Sequence, residues 1–143
     1  MAGGATGVTM SNKEMSISFP GGRKVTATFG DFEVVTDQSV KNGGDASAPE
    51  PYDLFLASLA TCAGIYVLGF CAKRDLPTDG LKVTQRWTRD EKSRRLETIS
   101  IDIETGPDFP EKYLGALERA ASQCAVKKTM LDPPEFEVTA RLG

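Results

Sequence analysis

The stretch LFLASLATCAGIYVLGFCA, residues 54–72, carries no charged side chain, and the fold turns on how it is read. It meets the minimum for a transmembrane helix, roughly 18 apolar residues. Asp53 before it, with Lys73 and Arg74 after it, is compatible with such a span. Against that reading, Ser58, Thr61, Gly64 and Gly69 are small or polar, and the rest of the chain supplies strands whose apolar faces must be covered. A helix that is apolar all round, set among such strands, belongs in a core or a dimer interface. The sequence therefore favours a buried helix and predicts no membrane partner.

Upstream of this helix, Ile17 and Phe19 lead into a Pro20-Gly21-Gly22 turn. Val25, Ala27 and Phe29 then alternate with Lys24, Thr26 and Thr28, which predicts a hairpin. Phe32-Glu33-Val34-Val35 follows the turn at Gly30-Asp31 as a third antiparallel strand. Asp37 to Glu50, with Gly43, Gly44 and Pro49, reads as a loop, and Pro51 suits a first helical turn. Downstream, the runs Leu81-Val83-Gln85-Trp87 and Leu96 to Ile103, joined at Asp90-Glu91-Lys92-Ser93, predict a second hairpin. Asp108 as N-cap, Pro110 and Glu111 then start another helix, with Leu114, Leu117, Ala121 and Cys124 on its inner face. Pro133-Pro134 stops it, and Phe136, Val138, Ala140 and Leu142 alternate as a last strand. The fold class is α+β.

A chain of 143 residues, 40% hydrophobic and 26% charged, is expected to form one domain over residues 14–143. Residues 1–13 are rich in Gly, Ala and Thr and lack the basic start and apolar core of a secretory signal, so they read as a disordered tail, a vector remnant or an upstream start. The formal charge is −3 without a run of Lys or Arg, and Lys127-Lys128 reads as a solvated face, so no nucleic-acid partner is expected. The absence of histidine excludes Ser-His-Asp and Cys-His nucleophile arrangements and histidine metal sites. Cys62, Cys71 and Cys124 form no CxxC pair, which points away from zinc and from a disulfide framework and towards a reducing, cytoplasmic setting. No metal or organic cofactor is called for.

Any chemistry must then run on thiols, carboxylates, Lys, Arg or Tyr. Cys62 and Cys71 fall on opposite faces of their helix, about 13 Å apart along its axis, beyond disulfide reach. A two-cysteine mechanism requires the fold to bring Cys124 to one of them, and periodicity does not say which.

The segment Pro51-Tyr52-Asp53-Leu54-Phe55-Leu56-Ala57-Ser58-Leu59-Ala60-Thr61-Cys62 resembles the central-helix motif of the OsmC and organic-hydroperoxide-resistance family: Pro-x-acidic-Leu-Leu, then small residues and a cysteine. The order of elements over roughly residues 14 to 143 is similar too. The resemblance implies antiparallel sheets wrapped around a long apolar helix, and two chains intertwined as a homodimer with active sites at the interface. It further implies that Cys62 attacks an organic hydroperoxide and that Cys124 resolves the sulfenic acid as a disulfide, which an external dithiol then reduces. In the family an arginine of the N-terminal strands activates the first thiol and is held by an acidic residue. Arg23 takes the first role here, with Asp53 or Glu50 orienting it. Two positions depart from the pattern. Tyr52 stands where the hydroperoxidase branch has its carboxylate, with Asp53 one place later as in the OsmC-like branch. Ala125 stands where the family has proline, although Ser122 as an N-cap would still put Cys124 in a new first turn. The apolar residues Phe55, Leu59, Ile65 and Tyr66 around Cys62 suit a hydrophobic substrate. The rival function is a non-catalytic module of the same fold that binds a small apolar ligand at the interface with its thiols reduced.

Overall fold

The computed structural model describes residues 13–143. The tail expected at 1–13 falls, apart from Lys13, outside the described residues. The chain divides into two compact units, one running to Leu54 and the other spanning Phe55–Gly143.

The first unit opens with strands β1 (Ser16–Gly21), β2 (Lys24–Phe29) and β3 (Phe32–Thr36), antiparallel in the order β1-β2-β3. Ile17 pairs with Ala27, and Ala27 with Val34, so the alternation read from sequence does set the register. The ladder slips between Ser18 and Gly21, where Pro20 has no amide to donate. The loop that follows is organised by one carboxylate. Asp37 is fully buried and accepts hydrogen bonds from the Ser47 hydroxyl at 2.6 Å and from the backbone amides of Gln38 at 2.7 Å, Ser47 at 3.0 Å and Asp45 at 3.3 Å. These donors, the Ser47 hydroxyl foremost, hold its carboxyl far below the usual carboxylate range. The turn closes so tightly on Asp37 that a Cβ at Gly44 would collide with the Gln38 carbonyl oxygen and the Asp37 carboxylate.

Asp37 therefore contributes stability that is present above its unfolded pKa of about 3.9 and is lost as pH falls below it. Asp37→Ala should lower the urea midpoint at pH 7. Between about pH 5 and pH 3 the variant's midpoint should also fall less steeply than that of the wild type.

Helix α1 (Pro51–Lys73) begins at the end of the first unit and runs through the second. There it is followed by β4 (Lys82–Arg89) and β5 (Leu96–Glu104), which form a hairpin, and by α2 (Leu114–Ala121) and α3 (Ala125–Leu131). Val83 pairs with Ile103, Gln85 with Ile101 and Trp87 with Ile99, so these six side chains share one face of the hairpin. Gln85 Nε2 donates to the Leu56 carbonyl of α1 at 2.9 Å, while its buried Oε1 has no partner among the described residues. One stripe of α1 is buried: Leu56, Leu59, Ala63, Val67, Phe70 and Cys71, at the three-and-four spacing of a single helical face. Ala63, Val67, Phe70 and Cys71 meet Phe109, Leu117 and Ala121 in the core. The helix is long and apolar enough to cross a membrane, yet its packing is that of a core element. It is not covered all round, because Ile65 remains 60% and Leu68 48% exposed on the opposite side.

Three sequence expectations are corrected. Asp108 does not cap a helix. Pro110 takes the cap position of a 3-10 turn, Glu111–Tyr113, without a side-chain cap bond, and α2 starts only at Leu114. The helix expected to carry Cys124 ends first, at Ser122, whose hydroxyl turns back onto the Glu118 carbonyl at 3.0 Å. The last strand is also absent. Residues 136–142 join no ladder, and Phe136, Val138 and Leu142 are 83%, 95% and 99% exposed. Their alternation is that of a strand, but no sheet edge in the described chain takes them up.

Leu117, fully buried at the centre of the core, should lose about 2–5 kcal/mol of stability when replaced by alanine. Guanidinium unfolding of Leu117→Ala checks this.

Candidate functional site

Cys62 sits half-buried on the flank of the buried stripe of α1, one turn beyond Leu59. Cys124 reaches it through the break between α2 and α3. After Ser122 the backbone leaves the helical region, and Cys124, at φ −49° and ψ 123°, becomes the N-cap of α3. Its Sγ accepts the Lys127 amide at 3.4 Å, the geometry of a serine cap with sulfur in place of oxygen. That break leaves the first amides of α3 without helical partners, and those of Val126 and Ala125 lie near enough to Cys62 to favour its thiolate.

The two sulfurs are close enough for each thiol to shift the ionisation of the other, and both are free. Their environments push them apart. The Val126 amide, the Cys124 thiol and the Ala125 amide, in that order apart from an opposing burial effect between the last two, lower the pKa of Cys62. Burial raises that of Cys124, and the neighbouring Cys62 raises it further, against a partial offset from the Lys127 amide. Cys62 therefore ionises first, while Cys124 keeps its proton and donates it. The Leu59 carbonyl, 4.0 Å from Cys124 Sγ, is the alternative acceptor for that proton. Cys71 is fully buried in the core, where burial pushes its thiol up.

Ser122 is thus the end of α2 and not the cap of a new helix, and the amides of α3 favour the thiolate of Cys62 on the facing helix. Ala125 holds the first position of α3, the place where proline is most easily accommodated in a helix, and as alanine it retains an amide that proline would lack.

The other expected site residues lie in the first unit. Arg23 follows Gly22 in the turn between β1 and β2, with its Nε 3.5 Å from where a Cβ on Gly43 would stand. It lines a cavity of about 500 Å³ with Phe19, Lys24, Gln38 and Asn42, and makes no ion pair among the described residues. Asp53 accepts the Glu50 amide at 2.9 Å, as the returning half of a capping box at the start of α1. Glu50 in turn accepts from Asn42 Nδ2 at 3.0 Å and the Ser39 amide at 3.2 Å, the Asn42 bond being the larger cause of its lowered pKa. Both acids thereby fasten the loop to the helix start.

Each thiol of the pair opens on its own cavity. Cys62 lines one of about 580 Å³ with Ile65, Tyr66, Gly69, Phe70 and Arg74. Arg74 lies 3.8 Å over the Phe70 ring and donates to the Phe70 carbonyl at 3.2 Å. Cys124 lines another of about 570 Å³ with Leu59, Ile99, Ile101, Met130 and Leu131. Of the apolar residues expected around Cys62, Ile65 and Tyr66 share its cavity, whereas Leu59 belongs to that of Cys124. Among the described residues no His, Cys, Asp or Glu cluster could hold a metal ion.

A pair of neighbouring free thiols, one favoured as thiolate and one as thiol, in an α+β fold with antiparallel sheets and a long apolar helix, defines a paired-thiol protein. The chain belongs to the OsmC-like protein family, whose family model matches residues 43–139. Solved structures with the same fold include a putative osmotic stress induced and detoxification response protein from Psychrobacter arcticus, with a TM-score of 0.70 and 21% identity over 85% of this chain and 90% of that one. An OsmC-like protein from Mycoplasma pneumoniae follows, with a TM-score of 0.67 and 14% identity over 87% and 91% of the two chains. An organic hydroperoxide resistance protein OsmC from Legionella pneumophila has a TM-score of 0.56 and 17% identity over 86% and 91%. No curated protein sequence matches the chain.

If the α3 amides and the Cys124 thiol favour the Cys62 thiolate, iodoacetamide should modify Cys62 with a pH midpoint below that of an ordinary cysteine. Cys124→Ala, which removes one donor and the cap of α3, should move that midpoint upward. A midpoint unchanged by the substitution would contradict the assignment.

Proposed function

We propose that the protein is a thiol-dependent peroxidase that reduces organic hydroperoxides. The contact between Cys62 and Cys124, with their ionisation pushed in opposite directions, is the observation that carries this reading. The Cys62 thiolate attacks the outer oxygen of the hydroperoxide. The O–O bond breaks, the alkoxide takes a proton and leaves as the alcohol, and Cys62 becomes a sulfenic acid. Cys124 then attacks that sulfur, water leaves, and a Cys62–Cys124 disulfide forms, which an external dithiol reduces. The largely apolar cavity beside Cys62 suits an organic peroxide better than hydrogen peroxide, because a small polar oxidant gains nothing from Ile65, Tyr66 and Phe70. The family membership and the hydroperoxide-resistance description of the Legionella pneumophila structure support the same theme.

The working form in this reading is a homodimer. The exposed Ile65 and Leu68 side of α1 and the exposed Phe136, Val138 and Leu142 are apolar surfaces that a second chain would cover. Light scattering on the purified protein should return twice the 15.4 kDa chain mass.

Exposure to cumene hydroperoxide, followed by alkylation and peptide mapping, should yield a Cys62–Cys124 disulfide and leave Cys71 free. Cys62→Ser should abolish peroxide consumption, and Cys124→Ser should stop at the sulfenic acid. If both thiols remain alkylatable after peroxide, the peroxidase reading fails and a ligand-binding role takes its place.

A further inference from the structure

The Cys62 cavity and the Cys124 cavity have no lining residue in common, so a disulfide between the two sulfurs would stand as a partition between separate chambers. We propose that the Cys124 chamber is the entry site for the reducing thiol, which attacks Cys124 Sγ from that side and expels Cys62, while the Cys62 chamber remains reserved for the peroxide. The inference rests on the redox pairing of Cys62 and Cys124 and adds to it where, and at which sulfur, the enzyme is recharged.

Thiol–disulfide exchange is an in-line displacement: the attacking sulfur, the attacked sulfur and the leaving sulfur lie nearly on one line. Attack on Cys124 must approach from the side facing away from Cys62, and the second chamber is lined by Cys124 and not by Cys62. Attack on Cys62 must come through the peroxide chamber, which is open as well. Access alone therefore leaves both routes available, and the leaving group decides between them. Expulsion of Cys62 releases a thiolate that the Val126 and Ala125 amides and the Cys124 cap region already receive, whereas expulsion of Cys124 would strand a charge on a buried sulfur. The sulfur with the lower pKa leaves faster.

The balance is that of two exchanges. A reductant thiolate, RS⁻, bonds to Cys124 Sγ as the Cys62–Cys124 bond breaks, and the electron pair departs with Cys62 as its thiolate. A second thiolate, from the same or another reductant molecule, attacks the R sulfur and releases Cys124, which takes up a proton. Two thiols end as one disulfide, and both protein cysteines are restored. Leu59, Ile99, Ile101, Ile103, Met130 and Leu131 give the chamber an aliphatic wall, with Asp102, Glu118 and Lys127 also lining it, so the reductant it favours is a small thiol with an aliphatic body and a polar end.

The test uses protein whose disulfide has been closed with diamide, so that it does not depend on peroxide chemistry. Brief treatment with β-mercaptoethanol, an acid quench, alkylation and mapping at successively shorter times locate the first mixed disulfide. The expected result, extrapolated to zero time, is a mercaptoethanol adduct on Cys124 with Cys62 free, in about tenfold or greater excess over the reverse. An adduct mainly on Cys62, or an equal division between the two, overturns the inference. If diamide closes no Cys62–Cys124 bond the inference falls too, whereas failure of cumene hydroperoxide alone to close it overturns only the peroxidase reading.

Discussion

Burial of one stripe of α1 governs the second unit. Without charge from Leu54 to Ala72, the helix cannot be left in water on every side, and the stripe from Leu56 to Cys71 is the part that the chain itself covers. Once Ala63, Val67 and Phe70 are fixed against Leu117 and Ala121, the azimuth of Cys62 is fixed with them, because a helix turns as a rigid body. The same contacts hold α2 against α1 and so deliver its C-terminal end, with Cys124 just beyond it, to the neighbourhood of Leu59 and Cys62. Core packing and thiol placement are one arrangement.

What distinguishes the two sulfurs is their relation to a single helix break. Both are cysteines on or beside helices, and both contact the other. Cys124 is the residue at which the chain stops being α2 and becomes α3, so it lies deep and is wrapped by its own turn. Cys62 faces that turn from outside and collects the amides that the break leaves unpaired. The opposite shifts of the two thiols thus follow from which cysteine interrupts the helix and which looks at the interruption, and they are what the proposed two-step oxidation would use.

Much of this was legible in the residue pattern. The three-stranded meander, the second hairpin and α1 all follow from period-two and period-3.6 alternation with clear turn residues, as Ile17 opposite Ala27 and Val83 opposite Ile103 attest. Cys62 and Cys124 stood out as thiols. The errors fall where side-chain type does not determine the outcome. Asp108 looked like a cap, but the chain makes a 3-10 turn first and begins α2 at Leu114. Phe136 to Leu142 alternates as a strand would, but it forms none, because a strand also needs a neighbour, which one chain's pattern does not supply. The amides of Ala125 and Val126 could not have been singled out, because every residue but proline carries one.

That last point bears on how the site can change over time. Donors that belong to the main chain are indifferent to the side chains that carry them, so substitutions at positions 125 and 126 can accumulate without touching the electrostatics of Cys62, as long as the amide stays and α3 still begins there. A thiol held ready in this way depends on the path of the backbone and only weakly on its neighbours' identities. Two members of such a family could share the same reactive centre while agreeing at few positions around it beyond the two cysteines.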